Sequence, residues 1–347
     1  MEKRKGAQRV EYIDSFRGIA CIIVLFVHLW YNMAEKYAFE PYLKNAFYGI
    51  GKYAVAIFFV LSGYFSIISV RSKQRTASAY IFQRFIRLYV PMAVAAVFGW
   101  CVEWIDTKEQ LIETLDLTTL KGHLWTVAVE FKYILVFGIC YYLVVSLGVK
   151  KKHTIIGLVA LSIVCMKMFS PHSWLENAQG LQWYVPIFAC GIIIALIEDE
   201  TVKSYSTIKN YTADLIFLLT TLTVVVMIPI VRNLLFGSEV DMSLTRKYLF
   251  FGFVAAIQLY ALLNSIIVKK LYESMTVVQW IGKMGYSIYL IHYIVFWKVA
   301  QYNVNIVIYI VASISSTAVL SVLSYYYIEQ KLVGWILKKL AYDDTVH

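Results

Sequence analysis

Long apolar segments constrain this chain more than any other feature of its sequence. Runs of about 18 or more predominantly apolar residues recur along its whole length, and each is long enough to cross a bilayer. Lipid offers the backbone no hydrogen-bond partners, and the runs lack the polar alternation of a transmembrane strand, so the segments are predicted to be helices. The sequence therefore predicts an all-α polytopic membrane protein.

About ten transmembrane helices are predicted. Their approximate ranges are 16–33, 47–70, 88–105, 124–148, 154–169, 183–198, 212–235, 247–268, 284–301 and 304–325. The connections are too short to hold a soluble domain. Residues 1–15 are interpreted as a cytoplasmic N-terminal segment, 16–328 as a single transmembrane domain and 329–347 as a cytoplasmic tail.

The charge balance fits this reading. The chain carries 32 Lys and Arg against 22 Asp and Glu, a net charge of +10. Such a balance can indicate nucleic-acid binding, but no soluble basic domain is expected here, so nucleic acid is not a predicted partner. The cations are concentrated in alternate connections, which predicts that both termini are cytoplasmic. No CxxC or HExxH motif occurs, and no metal site is expected.

The first predicted span carries three ionisable residues, which are costly within a membrane and therefore suggest function. Arg17 and His28 are eleven residues apart, so they share one helix face and lie about 16 Å apart along it. Asp14 precedes Arg17 by one turn and can pair with it. The alternative is that Arg17 reaches toward lipid phosphates while His28 bonds a neighbouring helix.

A second cationic pair stands at the cytoplasmic entry of the third predicted span. Arg84 and Arg87 are three residues apart, so they lie on one helix face. With Arg17 they could form a cluster of three guanidinium groups, which bind phosphate in charge-assisted pairs. The alternative is anchoring to anionic lipid, which requires no other ligand.

Glu130 lies about 9 Å from the outer end of the fourth predicted span, close to the depth predicted for His28. A histidine and a carboxylate at one depth could act as a base and the group that orients it. Alternatively, Glu130 pairs with Lys132 or caps its helix. Lys132 is about 200° away around the helix, which makes that pairing poor.

The remaining candidates are weaker. For His292 in the ninth predicted span, a role as a hydrogen-bonded structural residue is favoured over a catalytic role. Ser62 could be a nucleophile, although Ser62 and Gly63 together are more typical of close helix packing. No role is assigned to His123 or to the other histidines placed in loops.

An ordered set of motifs gives these residues a common context. The set comprises YIDSFRGIA followed by VH, AIFFVLSGYF, RFIRLYVP, LWTVAVEFKYIL, YSIYLIH and SYYYIEQKL, and it extends over residues 11–332. Together these segments resemble the acyltransferase 3 family of integral membrane acyltransferases.

The resemblance implies transfer of an acyl group, commonly acetyl, from cytoplasmic acyl-CoA to a hydroxyl of a glycan or small acceptor. It maps the family's first-span Arg and His to Arg17 and His28. Its other site residues map to Arg84, Arg87, Glu130, Ser62 and Gly63. It implies a multi-pass protein of the plasma membrane whose partners are lipid, acyl-CoA and a glycan or lipid-linked sugar, without a metal.

Two mechanistic routes stay open on this reading. Neutral His28 could remove the acceptor's proton while Glu130 orients the imidazole, or His28 could carry the acyl group. The acceptor would enter from the outer side. The competing functions are a glycan transporter or exporter without acyl transfer, and a membrane scaffold or receptor. A transporter predicts matched halves with broken helices, which the sequence lacks.

Overall fold

A computed structural model describes residues 11–73, 76–168, 179–201, 207–237 and 248–340. Within these ranges the chain is helical and forms no β-strand, which confirms the all-α class. The α-helices are α1 (Glu11–Lys36), α2 (Pro41–Lys44), α3 (Ile50–Lys73), α4 (Ala77–Cys101), α5 (Lys108–Leu115), α6 (Trp125–Ser146), α7 (Lys151–Met168), α8 (Val185–Thr201), α9 (Thr207–Val226), α10 (Pro229–Phe236), α11 (Tyr248–Asn264), α12 (Ile267–Ser274), α13 (Thr276–Lys283), α14 (Gly285–Ala300), α15 (Ile306–Leu323) and α16 (Val333–Lys339).

Three short segments complete the helical structure. Single 3₁₀ turns at Gly122–Leu124 and Leu181–Trp183 lead into α6 and α8. Wider π-type turns at Ser324–Leu332 connect α15 to α16 without a break. The tail predicted from residue 329 therefore begins inside a helix that continues to Lys339.

The described helices support a polytopic membrane protein. Five segments are long and apolar enough to cross a membrane: Glu11–Lys36, Ile50–Arg71, Ala77–Cys101, Gly122–Ser146 and Ile306–Lys339. Two sharply bent pairs raise the number to seven if each pair is one span: α9 from Tyr211 with α10, and α11 with α12. The count of ten spans stays a prediction.

The outward faces of several helices carry exposed apolar side chains. On α9 these include Leu215, Leu218 and Leu222, and on α15 they include Val307 and Val311. Large exposed apolar surfaces are unusual for a soluble protein but suit contact with lipid. Of the polar residues considered below, Asp14, His123 and His292 are buried, whereas Arg87 is exposed.

Paired glycines fix the position of α1, which carries Asp14, Arg17 and His28, against α13, which directly precedes α14. A Cβ atom on Gly18 of α1 would clash with the main-chain oxygen of Val278, and one on Gly282 of α13 would clash with that of Asp14. Close packing through small residues is typical of membrane helices. Gly63 of α3 makes the same kind of approach to α8, which agrees with its predicted packing role.

Candidate active site

Three histidines meet between α1, α14 and the turn before α6. Nδ1 of His28 lies 2.7 Å from Nε2 of His292, and the second nitrogen of His292 lies 3.0 Å from the main-chain oxygen of Ile288. The His123 ring centre is 5.1 Å from that of His292. His292 is completely buried, whereas His28 is partly exposed. We refer to His28, His123 and His292 as the histidine cluster.

His123 is the member that sequence analysis missed. Its Nε2 lies 3.2 Å from the main-chain oxygen of Leu290, and its own main-chain oxygen accepts a hydrogen bond from Tyr289. Thr126 in turn donates to the Tyr289 hydroxyl at 2.8 Å. The available signal was a histidine directly before the apolar segment LWTVAVEF, although position in the sequence could not show what it contacts.

Glu130 lies in different surroundings. Its Oε1 accepts a hydrogen bond from Ser62 of α3 at 2.8 Å, and it is close enough to Arg84 and Arg17 to interact electrostatically. Lys132 donates instead to the main-chain oxygen of Gln179 at 2.7 Å, so the expected poor pairing with Glu130 agrees with the structure.

Among the described residues His28 and Glu130 are not hydrogen-bonded to each other: Nδ1 of His28 contacts His292, and Oε1 of Glu130 contacts Ser62. The similar membrane depths predicted for His28 and Glu130 assume that the outer ends of the first and fourth spans lie at the same level. In the structure His123, seven residues before Glu130, lies at the level of His28. Seven residues correspond to about 10 Å along a helix, which separates Glu130 from the histidine cluster.

A second polar group, the arginine cluster, consists of Arg17, Arg84 and Arg87. Arg84 and Arg87 are within electrostatic range of each other, and Glu329 of the π-type turns is in range of both Arg17 and Arg87. The guanidinium of Arg17 lies 5.3 Å from the centre of the Phe65 ring. Three cations therefore share a region with two carboxylates, and Glu329 is the carboxylate that sequence analysis left unassigned.

Two contacts hold this end of the site in place. Ser287 of α14 donates a hydrogen bond to Glu329 and lies 3.1 Å from the Ser324 hydroxyl. Arg84 is near Tyr80, yet its buried Nε atom donates to no group in the part of the chain that the structure describes. A buried donor without a partner is costly, and an anionic ligand would satisfy it.

The other candidates fall on the same scaffold. Asp14 is buried in the first turn of α1, one turn before Arg17. Ser62 serves as the hydrogen-bond donor to Glu130. Among the described residues, no three His, Cys, Asp or Glu side chains are arranged to hold a metal ion.

These features define a helical membrane protein with a cluster of arginines and a separate cluster of histidines. Comparison with protein families gives the class a name. The model of the acyltransferase 3 family, described as an acyltransferase domain, matches residues 10–326, and the chain belongs to that family. It is thus a multi-pass membrane acyltransferase. Comparisons with curated proteins and with solved structures give no match.

Proposed function

We propose that this membrane acyltransferase moves an acyl group, acetyl in the first instance, from cytoplasmic acyl-CoA to a hydroxyl group. The acceptor is a cell-surface polysaccharide, a glycolipid or a related lipid-linked sugar, and the protein resides in the plasma membrane. The observation that carries the proposal is the pairing of two polar clusters on α1. Arg17 belongs to one and His28 to the other, about 16 Å apart along the helix.

The arginine cluster suits the donor. CoA is a multiply charged phosphate anion, and guanidinium groups bind phosphate oxygens in forked, charge-assisted hydrogen bonds. The Nε of Arg84, which has no partner among the residues that the structure describes, offers one donor that is already desolvated. Arg17, Arg84 and Arg87 would hold the phosphates at the cytoplasmic end, and the extended arm of CoA would bring the thioester along α1.

The histidine cluster suits the chemistry. A neutral imidazole can take the proton of an acceptor hydroxyl as that oxygen attacks the thioester carbonyl. His28 is the partly exposed member of the cluster, so it is the one that a substrate can reach. Glu130 would act near the arginine cluster, where its carboxylate limits the net positive charge around Arg84.

Turnover of acetyl-CoA by the purified protein, with lipid-linked or soluble glycan as acceptor, tests this function. His28→Ala is expected to lower the rate by about 10²–10⁴-fold while the protein still assembles, because a positioned general base contributes that much. His153→Ala is the matched control, since His153 is an exposed histidine at the start of α7. Full activity in His28→Ala would contradict the proposal.

A further inference from the structure

The hydrogen bonds of His292 determine which nitrogen atoms of the histidine cluster carry protons. Nδ1 of His292 lies 3.0 Å from the main-chain oxygen of Ile288. A carbonyl oxygen only accepts hydrogen bonds, so Nδ1 of His292 must be protonated. In a neutral imidazole the other nitrogen then has a lone pair, and burial of the whole side chain favours the neutral form. Nε2 of His292 is therefore an acceptor.

The same logic extends to His28. Its Nδ1 lies 2.7 Å from the acceptor Nε2 of His292, so Nδ1 of His28 must be the donor of that hydrogen bond. A neutral His28 with its proton on Nδ1 has a free lone pair on Nε2. Nε2 is therefore the nitrogen of His28 that can act as a base.

The geometry of the two rings supports a strong, directional hydrogen bond. The ring centres are 5.0 Å apart and the ring planes differ by 14°. That separation equals the 2.7 Å contact between the nitrogens plus the two ring radii, so both nitrogens lie on the line that joins the centres. The bond therefore lies in the plane of both rings, along the direction of the acceptor lone pair.

We propose that His292 is a positioning residue that accepts a hydrogen bond from Nδ1 of His28 and thereby fixes both its tautomer and its ring orientation. The proposal rests on the proposed acyl transfer. It gives the orienting role to a neutral imidazole in place of Glu130. A neutral group is suited to the buried position of His292, because a buried charge without a partner is costly. The cost is a weaker stabilisation of the imidazolium than a carboxylate would provide.

The transfer step can be written with all atoms accounted for. Nε2 of His28 takes the proton of the acceptor hydroxyl while the hydroxyl oxygen forms a bond to the thioester carbonyl carbon. The carbon–sulfur bond then breaks, and the proton on Nε2 passes to the leaving sulfur, which gives the ester and free CoA thiol. Throughout, Nδ1 of His28 keeps its proton and its hydrogen bond to His292, so the ring cannot turn its base atom away.

Nuclear magnetic resonance of protein labelled with ¹⁵N-histidine tests the tautomer without any requirement for activity. The His28 signals are assigned by their loss in His28→Gln. At a pH where the cluster is neutral, we expect a protonated Nδ1 and an unprotonated Nε2 for His28. A protonated Nε2 with a bare Nδ1 would overturn the proposal. The expected tautomer in a protein that does not turn over acyl-CoA would support the hydrogen bond and contradict only the proposed function.

Two substitutions of His292 separate positioning from packing. His292→Gln keeps an acceptor and a donor, whereas His292→Phe keeps the ring shape and removes both. We expect His292→Phe to lower kcat on the order of 10²-fold with KM for acyl-CoA little changed, because loss of a histidine's orienting partner has effects of this size or larger. His292→Gln should recover at least about tenfold of that loss. Equal kcat in the two variants, with His28 unchanged in tautomer, would overturn the proposal.

Discussion

The arginine cluster and the histidine cluster each include one residue of α1, Arg17 and His28, but they are built in opposite ways. Around Arg17, Arg84 and Arg87 the groups carry full charges and are partly or largely exposed. The Nε of Arg84 is a buried donor that has no partner among the described residues. In the histidine cluster, main-chain oxygens of α14 hold His123 and His292, and His292 is completely buried. The arginine cluster is suited to bind an anionic ligand, whereas the histidine cluster is suited to fix the orientation of one imidazole ring.

The largest predicted effect comes from a change that disturbs both regions at once. Gly18→Val introduces side-chain atoms where α1 meets the main chain of α13, so α1 must shift together with Arg17 and His28. We expect the free energy of unfolding to fall by about 1–3 kcal/mol, the usual cost of overpacking, with both kcat and KM impaired. Thermal unfolding in detergent and acyl-CoA turnover measure the two consequences.

Gly157→Val is the matched control for that change. A Cβ atom on Gly157 of α7 meets nothing within 4 Å, so stability and turnover should stay near those of the unchanged protein. Equal stability and equal turnover in Gly18→Val and Gly157→Val would contradict the view that the close contact of Gly18 with α13 positions α1.

The second prediction separates the two clusters by kinetic parameter. Arg84→Ala combined with Arg87→Ala should raise KM for acyl-CoA by about 10- to 100-fold, because hydrogen bonds to charged groups are worth about 1.5–3 kcal/mol. The value of kcat at saturating donor should change much less, since the histidine cluster stays intact. Arg71→Ala is the control, because Arg71 is exposed at the end of α3. A fall in kcat alone would instead assign the pair to the chemistry.

The third prediction concerns the carboxylate inside the arginine cluster. Glu329→Gln removes a negative charge near Arg17 and Arg87 but keeps an acceptor for Ser287. We expect KM for acyl-CoA to fall by about 2- to 5-fold, because partly exposed charge pairs contribute at most about 1 kcal/mol. Glu103→Gln is the control, since Glu103 is exposed and pairs with Lys298. A rise in KM would show that Glu329 holds the arginines in place.

The smallest predicted effect lies beside the histidine cluster. Thr126→Val removes the hydrogen bond to Tyr289 while the bond from Tyr289 to His123 can remain. We expect a loss of about 0.5–1.5 kcal/mol in the free energy of unfolding and only a few-fold change in kcat. Thr223→Val, at an exposed position where the hydroxyl bonds only its own helix, should change neither. A large fall in kcat would extend the functional cluster to Tyr289.

The predictions from sequence succeeded where one helix or one family pattern was sufficient. Apolar length predicted the all-α membrane class, and the motifs predicted the family. The eleven-residue spacing placed Arg17 and His28 along one helix. Contacts between helices could not be predicted from the sequence of single helices, because a similar depth in the membrane does not determine which helix faces meet. For that reason Glu130 was paired with His28, whereas the structure pairs it with Ser62.

Two site residues were missed for related reasons. His123 looked like a loop residue because it precedes an apolar run, yet a 3₁₀ turn carries it into the bundle. Glu329 looked like the start of a tail because charge increases there, yet the helix continues past it. In both cases the end of hydrophobicity in the sequence was not the end of the ordered, buried structure.

The π-type turns at Ser324–Leu332 have a consequence for how this protein tolerates insertions and deletions. Wider turns hold more residues per rotation than an α-helix, so they offset the phase of every side chain that follows. Addition of a further residue there would leave the length and apolarity of the last span almost unchanged. It would nevertheless rotate Glu329 and α16 relative to Ser287 and the arginines. Sequence length in this segment is therefore a quantity under constraint, as much as the identity of any side chain in it.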